Sequence, residues 1–207
     1  FDPQENVTKP VNAASLRALF VQLGFQKLIS QMGLDNAEGP DQERAGVTGE
    51  CQLENVTGAA RWQELVAQWQ GTTVSVLALP ELAALSVCWG EDWAQAALFR
   101  ETETEDYSGF LAAFFRPEIT KLGYHIKDVM RWALARGLTA QGFVFDAAIA
   151  AYLLAPTDGS YALDKVAGQY FTETFPPDKA YLAAKAWKEE ESAAQAMGAM
   201  ASHTVLI

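Results

Sequence analysis

The chain is short of positive charge. Fifteen Lys and Arg stand against 26 Asp and Glu in 207 residues, for a net charge of −11. Affinity for nucleic acid depends on clustered cations that release counterions from phosphates, so this balance disfavours a surface that tracks a phosphate backbone. Cysteine is equally scarce. Cys51 and Cys88 are the whole complement, one in a polar segment and one in a predicted strand. Their spacing fits no metal or redox motif, and a reduced cytoplasmic chain is the simplest reading. No run approaches 18 apolar residues, and Phe1 to Ala13 lacks the apolar core of a signal peptide, so nothing points to a membrane. His125 and His203 are the only histidines. Neither has a carboxylate at an informative spacing, which favours solvent-facing or packed roles over general-base work. There is no internal repeat.

Half of the residues are hydrophobic, enough for one domain with a sizeable core plus an extension. Residues 35 to 52, DNAEGPDQERAGVTGECQ, are polar and rich in Gly and acid, and read as a linker. The expected division is therefore an N-terminal helical extension and linker over 1–55 and a domain over 56–207. Between Arg61 and Gln70, Trp62, Leu65, Val66 and Trp69 share one helical face. Residues 73 to 79 and 82 to 89 read as a hairpin, with Ala94 to Phe99 as a third strand beside them. Glu101 to Asp106 is an acidic run, read as a solvated loop rather than a cation site. Tyr107 to Phe115 follows as a helix that ends before Pro117.

The stretch from Lys121 to Pro156, KLGYHIKDVMRWALARGLTAQGFVFDAAIAAYLLAP, carries the most information. Ile119 to Tyr124 is extended. From Lys127 a helical pattern places Val129, Met130, Ala133 and Leu134 on one face, and Gly137 stops it. Gly142 to Phe145 is extended again, and Asp146 N-caps a further apolar helix that ends before Pro156. Capping is favoured for Asp146 over a metal-ligand role. The order is strand, helix, strand, helix.

This stretch resembles the 3′-5′ exonuclease domain of bacterial DNA polymerase I, whose second motif reads G-x-N-x-K-x-D and is followed, after a helix, by Phe-Asp. Gly123, Lys127, Phe145 and Asp146 match in register. The family's Asn falls on His125 and its metal-binding Asp on Val129. Asp128 is one place off, and adjacent helical residues point about 100° apart while a metal–oxygen bond is about 2.1 Å, so it is a poor substitute. The family's Asp-x-Glu strand corresponds to Thr73 to Leu79, a run without a carboxylate, which places the two acids at Leu77 and Leu79. Its last motif, Tyr-x-x-x-Asp, lies on a helix that here falls within Asp178 to Ile207. No Tyr follows Tyr181 and no Asp follows Asp178, so Met197 and Ala201 take those places.

The resemblance implies an α/β fold, a ribonuclease H-like mixed sheet flanked by helices. It also implies chemistry that uses two cations about 4 Å apart, held in the family by four carboxylates. Leu, Leu, Val and Ala in their places leave hard cations without oxygen donors and tend to close the cavity. The expected site therefore has no catalytic residue and no metal ligand, and no cofactor is expected. Residues 15 to 34, SLRALFVQLGFQKLISQMGL, resemble the segment that runs from the family's 5′-nuclease region toward the proofreading domain. The chain stops where a polymerase domain would begin, which suggests a fragment of a longer polypeptide.

Three functions from different classes follow. The first is a non-catalytic, proofreading-like domain of a DNA polymerase I, with a cavity plugged by Leu77, Leu79 and Val129. Its partners would be the polymerase domain of the same polypeptide and, through the full-length protein, DNA. The second is a weak Mg- or Mn-dependent exonuclease built on the displaced acids Glu81, Asp128 and Asp146. The third is a binding module for single-stranded DNA or a protein. Its DNA-binding residues are not assignable, and the six Trp are expected in the core rather than as base-stacking platforms.

Overall fold

A computed structural model describes residues 11–23, 25–34, 51–171 and 175–207. The chain divides into two compact units, Phe1–Arg44 and Ala45–Ile207. Within the first, α1 (Ala13–Gln22) and α2 (Gln26–Gln31) are short helices. The Asn12 side chain accepts a hydrogen bond from the Ser15 amide at 3.1 Å, which caps α1. The rings of Phe20 and Phe25 lie 6.1 Å apart.

The second unit runs β1 (Gln52–Asn55), α3 (Ala59–Trp69), β2 (Thr73–Ala78), β3 (Ala84–Trp89), β4 (Gln95–Arg100), α4 (Tyr107–Phe114), β5 (Thr120–Gly123), α5 (Ile126–Ala135), β6 (Phe143–Asp146), α6 (Ala147–Leu154), α7 (Leu163–Tyr170), α8 (Lys179–Leu182) and α9 (Glu190–Val205). The strands form one sheet in the order β1-β4-β3-β2-β5-β6. β2, β3 and β4 form an antiparallel meander. β1 joins β4 in parallel, and β5 and β6 extend the other side in parallel. The sheet is mixed and carries helices on both faces, as expected for a ribonuclease H-like fold.

Period-2 alternation assigns the two faces. Val74 and Val76 of β2, Leu85 and Val87 of β3, and Ala97 and Phe99 of β4 meet α3, α4 and α5. Trp69 centres this layer, its ring 5.0 Å from that of Trp89, 6.1 Å from Phe99 and 5.9 Å from Phe114. On the opposite face Leu77, Leu79, Ala84 and Leu98 meet Leu163 of α7, Tyr181 of α8, and Ala196 and Met200 of α9.

Several details depart from the sequence reading. The strand expected from Leu82 starts at Ala84, because Pro80–Leu82 winds a tight turn with Glu81 and Leu82 in the left-handed region. The Leu79 amide bonds to the Ala84 carbonyl at 2.9 Å and closes the hairpin. On α5, Val129 and Ala133 are buried, whereas Met130 and Leu134, expected on the same face, are exposed. The apolar stripe is thus narrower than its composition suggests. β1 was not anticipated. Residues 35–50 of the expected linker lie outside the described residues, but Gln52, its last member, already pairs with Gln95.

One buried charge organises the side of the sheet beyond β2. The Lys121 ammonium on β5 is fully enclosed and donates to the carbonyls of Arg116 at 2.9 Å, Ile119 at 2.7 Å and Gln141 at 3.0 Å. All three of its N–H groups are used. They tie the loop before β5 to the loop before β6.

Candidate functional site

The site is built where β2 ends and where α5, α6 and α9 begin or cross. β2 presents Ser75 and Leu77 to the face covered by α9. The Ser75 hydroxyl bonds to the Thr204 carbonyl of α9. Leu77 and Leu79, where the resemblance places an Asp and a Glu, are buried among Leu163, Tyr181 and Met200, with Tyr124 and Ala147 packed against the same cluster. Ala201, at the place of the last Asp, is buried beside Cys88 and Ala96, and Met197 is half-buried against the Leu77 cluster. The space between strand end and last helix is filled by carbon.

Val129 corrects the expected plug. It is buried, but in the layer of Val74, Val76 and Phe114 on the other face of the sheet. Leu163, Tyr181 and Met200 take the part assigned to it. Leu163 was not legible as a plugging residue, because α7 matches no quoted motif, and Tyr181 and Met200 fall outside the motif positions assigned to the last helix.

The carboxylates of two of the displaced acids, Asp128 and Asp146, are occupied elsewhere. Asp128 is half-exposed on α5 and pairs with Arg131 at 3.1 Å. Glu81 is exposed, and its backbone carbonyl accepts from Arg136 at 2.8 and 3.2 Å, the same guanidinium also pairing with the Glu101 carboxylate at 2.7 and 2.8 Å. Asp146 uses one carboxylate oxygen to cap α6, accepting from Ala148 at 2.9 Å and Ile149 at 3.3 Å. Its other oxygen accepts from the Ile126 amide at the start of α5 at 2.8 Å. Among the described residues, no group of three or more His, Cys, Asp or Glu could hold a metal ion. The residues present do not fit the two hard cations of the family's reaction.

What persists of the motif has a backbone explanation. A Cβ on Gly123 would stand 2.8 Å from Ile126 Cγ1 and 3.0 Å from Phe143 Cε1, so the close approach of β5 and β6 requires glycine. His125, in the family's Asn place, is left-handed with φ 52° at the N-cap of α5, a conformation Asn adopts readily. Asp146 holds two helix starts together. The positions that shape the chain are kept or suitably replaced, while those that would bind cations are apolar.

Asp146→Ala is expected to destabilise the domain by about 2 to 3 kcal/mol, from a lost cap and one further orphaned amide. Asp146→Asn should recover most of that loss, as read from urea midpoints. A metal ligand would give the reverse, with little change in stability for either variant.

A further polar group in this region is His203 of α9. It is fully buried, and its Nδ1 lies 3.3 Å from Asp178 Oδ1. Burial lowers its pKa, and the Asp178 and Asp164 carboxylates only partly offset this, so the folded chain holds a neutral imidazole near pH 7. The unfolded chain binds the proton more readily. Stability should therefore be full above about pH 6.5 and decline as pH falls below the unfolded value. Urea midpoints between pH 5 and 8 should show this decline, and His203→Gln should flatten it. Tyr181, packed edge-on against His203, and Tyr124, whose hydroxyl donates to the Tyr161 carbonyl at 3.1 Å, are pushed above the ordinary phenol range by burial. Neither supplies a phenolate.

Comparison of the sequence with protein-family models and with curated proteins returns no match. Solved structures do match in fold. The POL domain of Pol1 from M. smegmatis, in complex with DNA primer-template and dNTP, superposes with a TM-score of 0.55 and 19% identity over 73% of this chain. This chain spans only 25% of that one. This is a ribonuclease H-like fold. The EXO domain of Aedes aegypti Nibbler matches with a TM-score of 0.53 and 10% identity, covering 72% of this chain and 81% of that one. Escherichia coli RNase D, an exoribonuclease involved in structured RNA processing, matches with a TM-score of 0.51 and 17% identity, covering 73% and 42%. The ribonuclease H-like scaffold thus carries apolar side chains where the resemblance places metal ligands. No described helix is long and apolar enough to cross a membrane.

Proposed function

We propose that this chain is a non-catalytic 3′-5′ exonuclease-like domain that serves as a structural element beside the polymerase domain of a DNA polymerase I, acting in cytoplasmic DNA replication or repair. The observation that carries the inactivity is the burial of Leu77 and Leu79 under Leu163, Tyr181 and Met200, because divalent cations require oxygen ligands and a water-accessible position there. The polymerase context rests on the register match at Gly123, Lys127, Phe145 and Asp146, on residues 15 to 34, and on the likeness to the M. smegmatis chain. The partner would be the polymerase domain of the same polypeptide, with DNA engaged through the whole protein. The net charge of −11 agrees with weak DNA binding by this chain on its own.

The test is a titration of Mg²⁺ and Mn²⁺ into the protein with a labelled single-stranded oligonucleotide, following metal binding and nucleotide release. The reading expects neither. Release abolished by Asp128→Ala would establish a rebuilt nuclease instead, and saturable oligonucleotide binding without release would establish a binding module.

A further inference from the structure

Cys51 and Cys88 are 37 positions apart in sequence, yet the fold brings them together. Cys51 stands one residue before β1, and Cys88 sits near the end of β3. β4 runs between these strands, and at the crossing it carries Ala96, opposite both Leu53 and Cys88. That side chain is too small to separate the sulfurs. Cys51 packs against Cys88, Ala96 and Ala201 on the face covered by α9. Cys88 is fully buried, with its Sγ 3.0 Å from the Trp93 carbonyl, whereas Cys51 is half-buried and reachable from solvent.

We infer that Cys51 and Cys88 are a redox-active thiol pair that closes to an intrachain disulfide under a peroxide oxidant, pinning the edge strand β1 to β3 across β4. The asymmetry of the pair sets the order of events. Only Cys51 is reachable from solvent, and its contact with Cys88 holds its thiol below the usual pKa while that contact and burial push Cys88 up, so Cys51 supplies the attacking thiolate. Its sulfur attacks one peroxide oxygen, the O–O bond breaks, and the departing hydroxide takes up a proton as water. Cys51 is then a sulfenic acid. The Cys88 sulfur attacks the Cys51 sulfur, the S–O bond breaks, and the hydroxyl leaves with the Cys88 proton as a second water. Two thiols and one peroxide give one disulfide and two waters. A bridge between strands that are not neighbours requires backbone movement, and Cys51, just before the first residue of an edge strand, stands where the sheet can best supply it.

The experiment treats the full chain with hydrogen peroxide and reads intact mass, peptide map and thermal midpoint. The expected result is a monomer lighter by two hydrogens, a Cys51–Cys88 linked peptide, and a midpoint raised by about 5 °C or more that a thiol reductant returns to its starting value. Cys51→Ser should abolish the link and the shift, and Cys88→Ala serves as a second variant that keeps the buried position apolar. Stepwise addition of oxygen to Cys51 without a linked peptide would overturn the inference. So would a disulfide between two chains, or a linked peptide whose formation leaves the midpoint unmoved or lowers it.

Discussion

Leu77→Asp is expected to destabilise the domain by about 3 to 5 kcal/mol, and Mg²⁺ or Mn²⁺ should not restore the loss. Leu77 is almost fully enclosed, with Leu98, Leu163, Tyr181 and Met200 in its cluster. A carboxylate there is surrounded mainly by aliphatic side chains. It either remains charged and unpaired, at several kcal/mol, or takes up a proton and leaves a polar group among carbon atoms. The leucine contacts and the apolar area are lost in addition. The measurement is a pair of urea titrations, with and without divalent cation. If the variant were as stable as the parent and its midpoint rose with Mg²⁺, the strand end would be an open pocket and the proposed inactivity would rest on missing ligands alone. Leu77→Met, which conserves volume, should change stability by less than about 1.5 kcal/mol and separates charge from shape.

Lys121→Met should cost about 2 to 4 kcal/mol, although it replaces a buried charge with an apolar side chain of similar length. The variant strands the buried carbonyl of Ile119 and the partly buried ones of Arg116 and Gln141, which have the ammonium as a shared donor, and a buried orphan costs about 1 to 3 kcal/mol. Relief of the ammonium's desolvation offsets part of the sum. The pH dependence distinguishes the two contributions. Burial draws the Lys121 pKa down to about 8 from 10.5, so between those values the unfolded chain binds more protons than the folded one. Wild-type stability should then rise with pH across that window, and the variant should lack this rise. Parallel slopes for the two proteins would mean that the three carbonyls keep the ammonium charged in spite of its burial.

The legible parts of this fold were those with a strong period. Trp62, Leu65, Val66 and Trp69 repeat at helical spacing and all are buried, and the meander of β2, β3 and β4 lies within two residues of its expected bounds. Asp146 could be assigned because a cap is a local device, decided by amides two and three residues ahead. β1 was not legible, since Gln52–Asn55 offers four mostly polar residues and takes its place by pairing with a strand 43 positions later. Val129 shows the limit of a motif. Its register could be aligned, but the face of the sheet it enters is set by how α5 rolls, and the sequence records that only through an apolar stripe that Met130 and Leu134 broaden misleadingly. Lys121 defeats composition altogether, because a lysine in a strand reads as solvent-facing until three carbonyls are seen around it. The contact between Cys51 and Cys88 is likewise a product of the sheet order.

Filling the strand end with leucine has a consequence during synthesis. Ser75 bonds to Thr204, 129 residues later, so the α9 helix that covers Leu77 and Leu79 leaves the ribosome long after the strand it covers. At roughly 5 to 20 residues per second, the nascent chain carries that bare apolar strip for about 6 to 26 seconds. A strand ending in carboxylates would wait in water without attracting neighbours, whereas this one must be sheltered by a chaperone or outrun encounters with other chains.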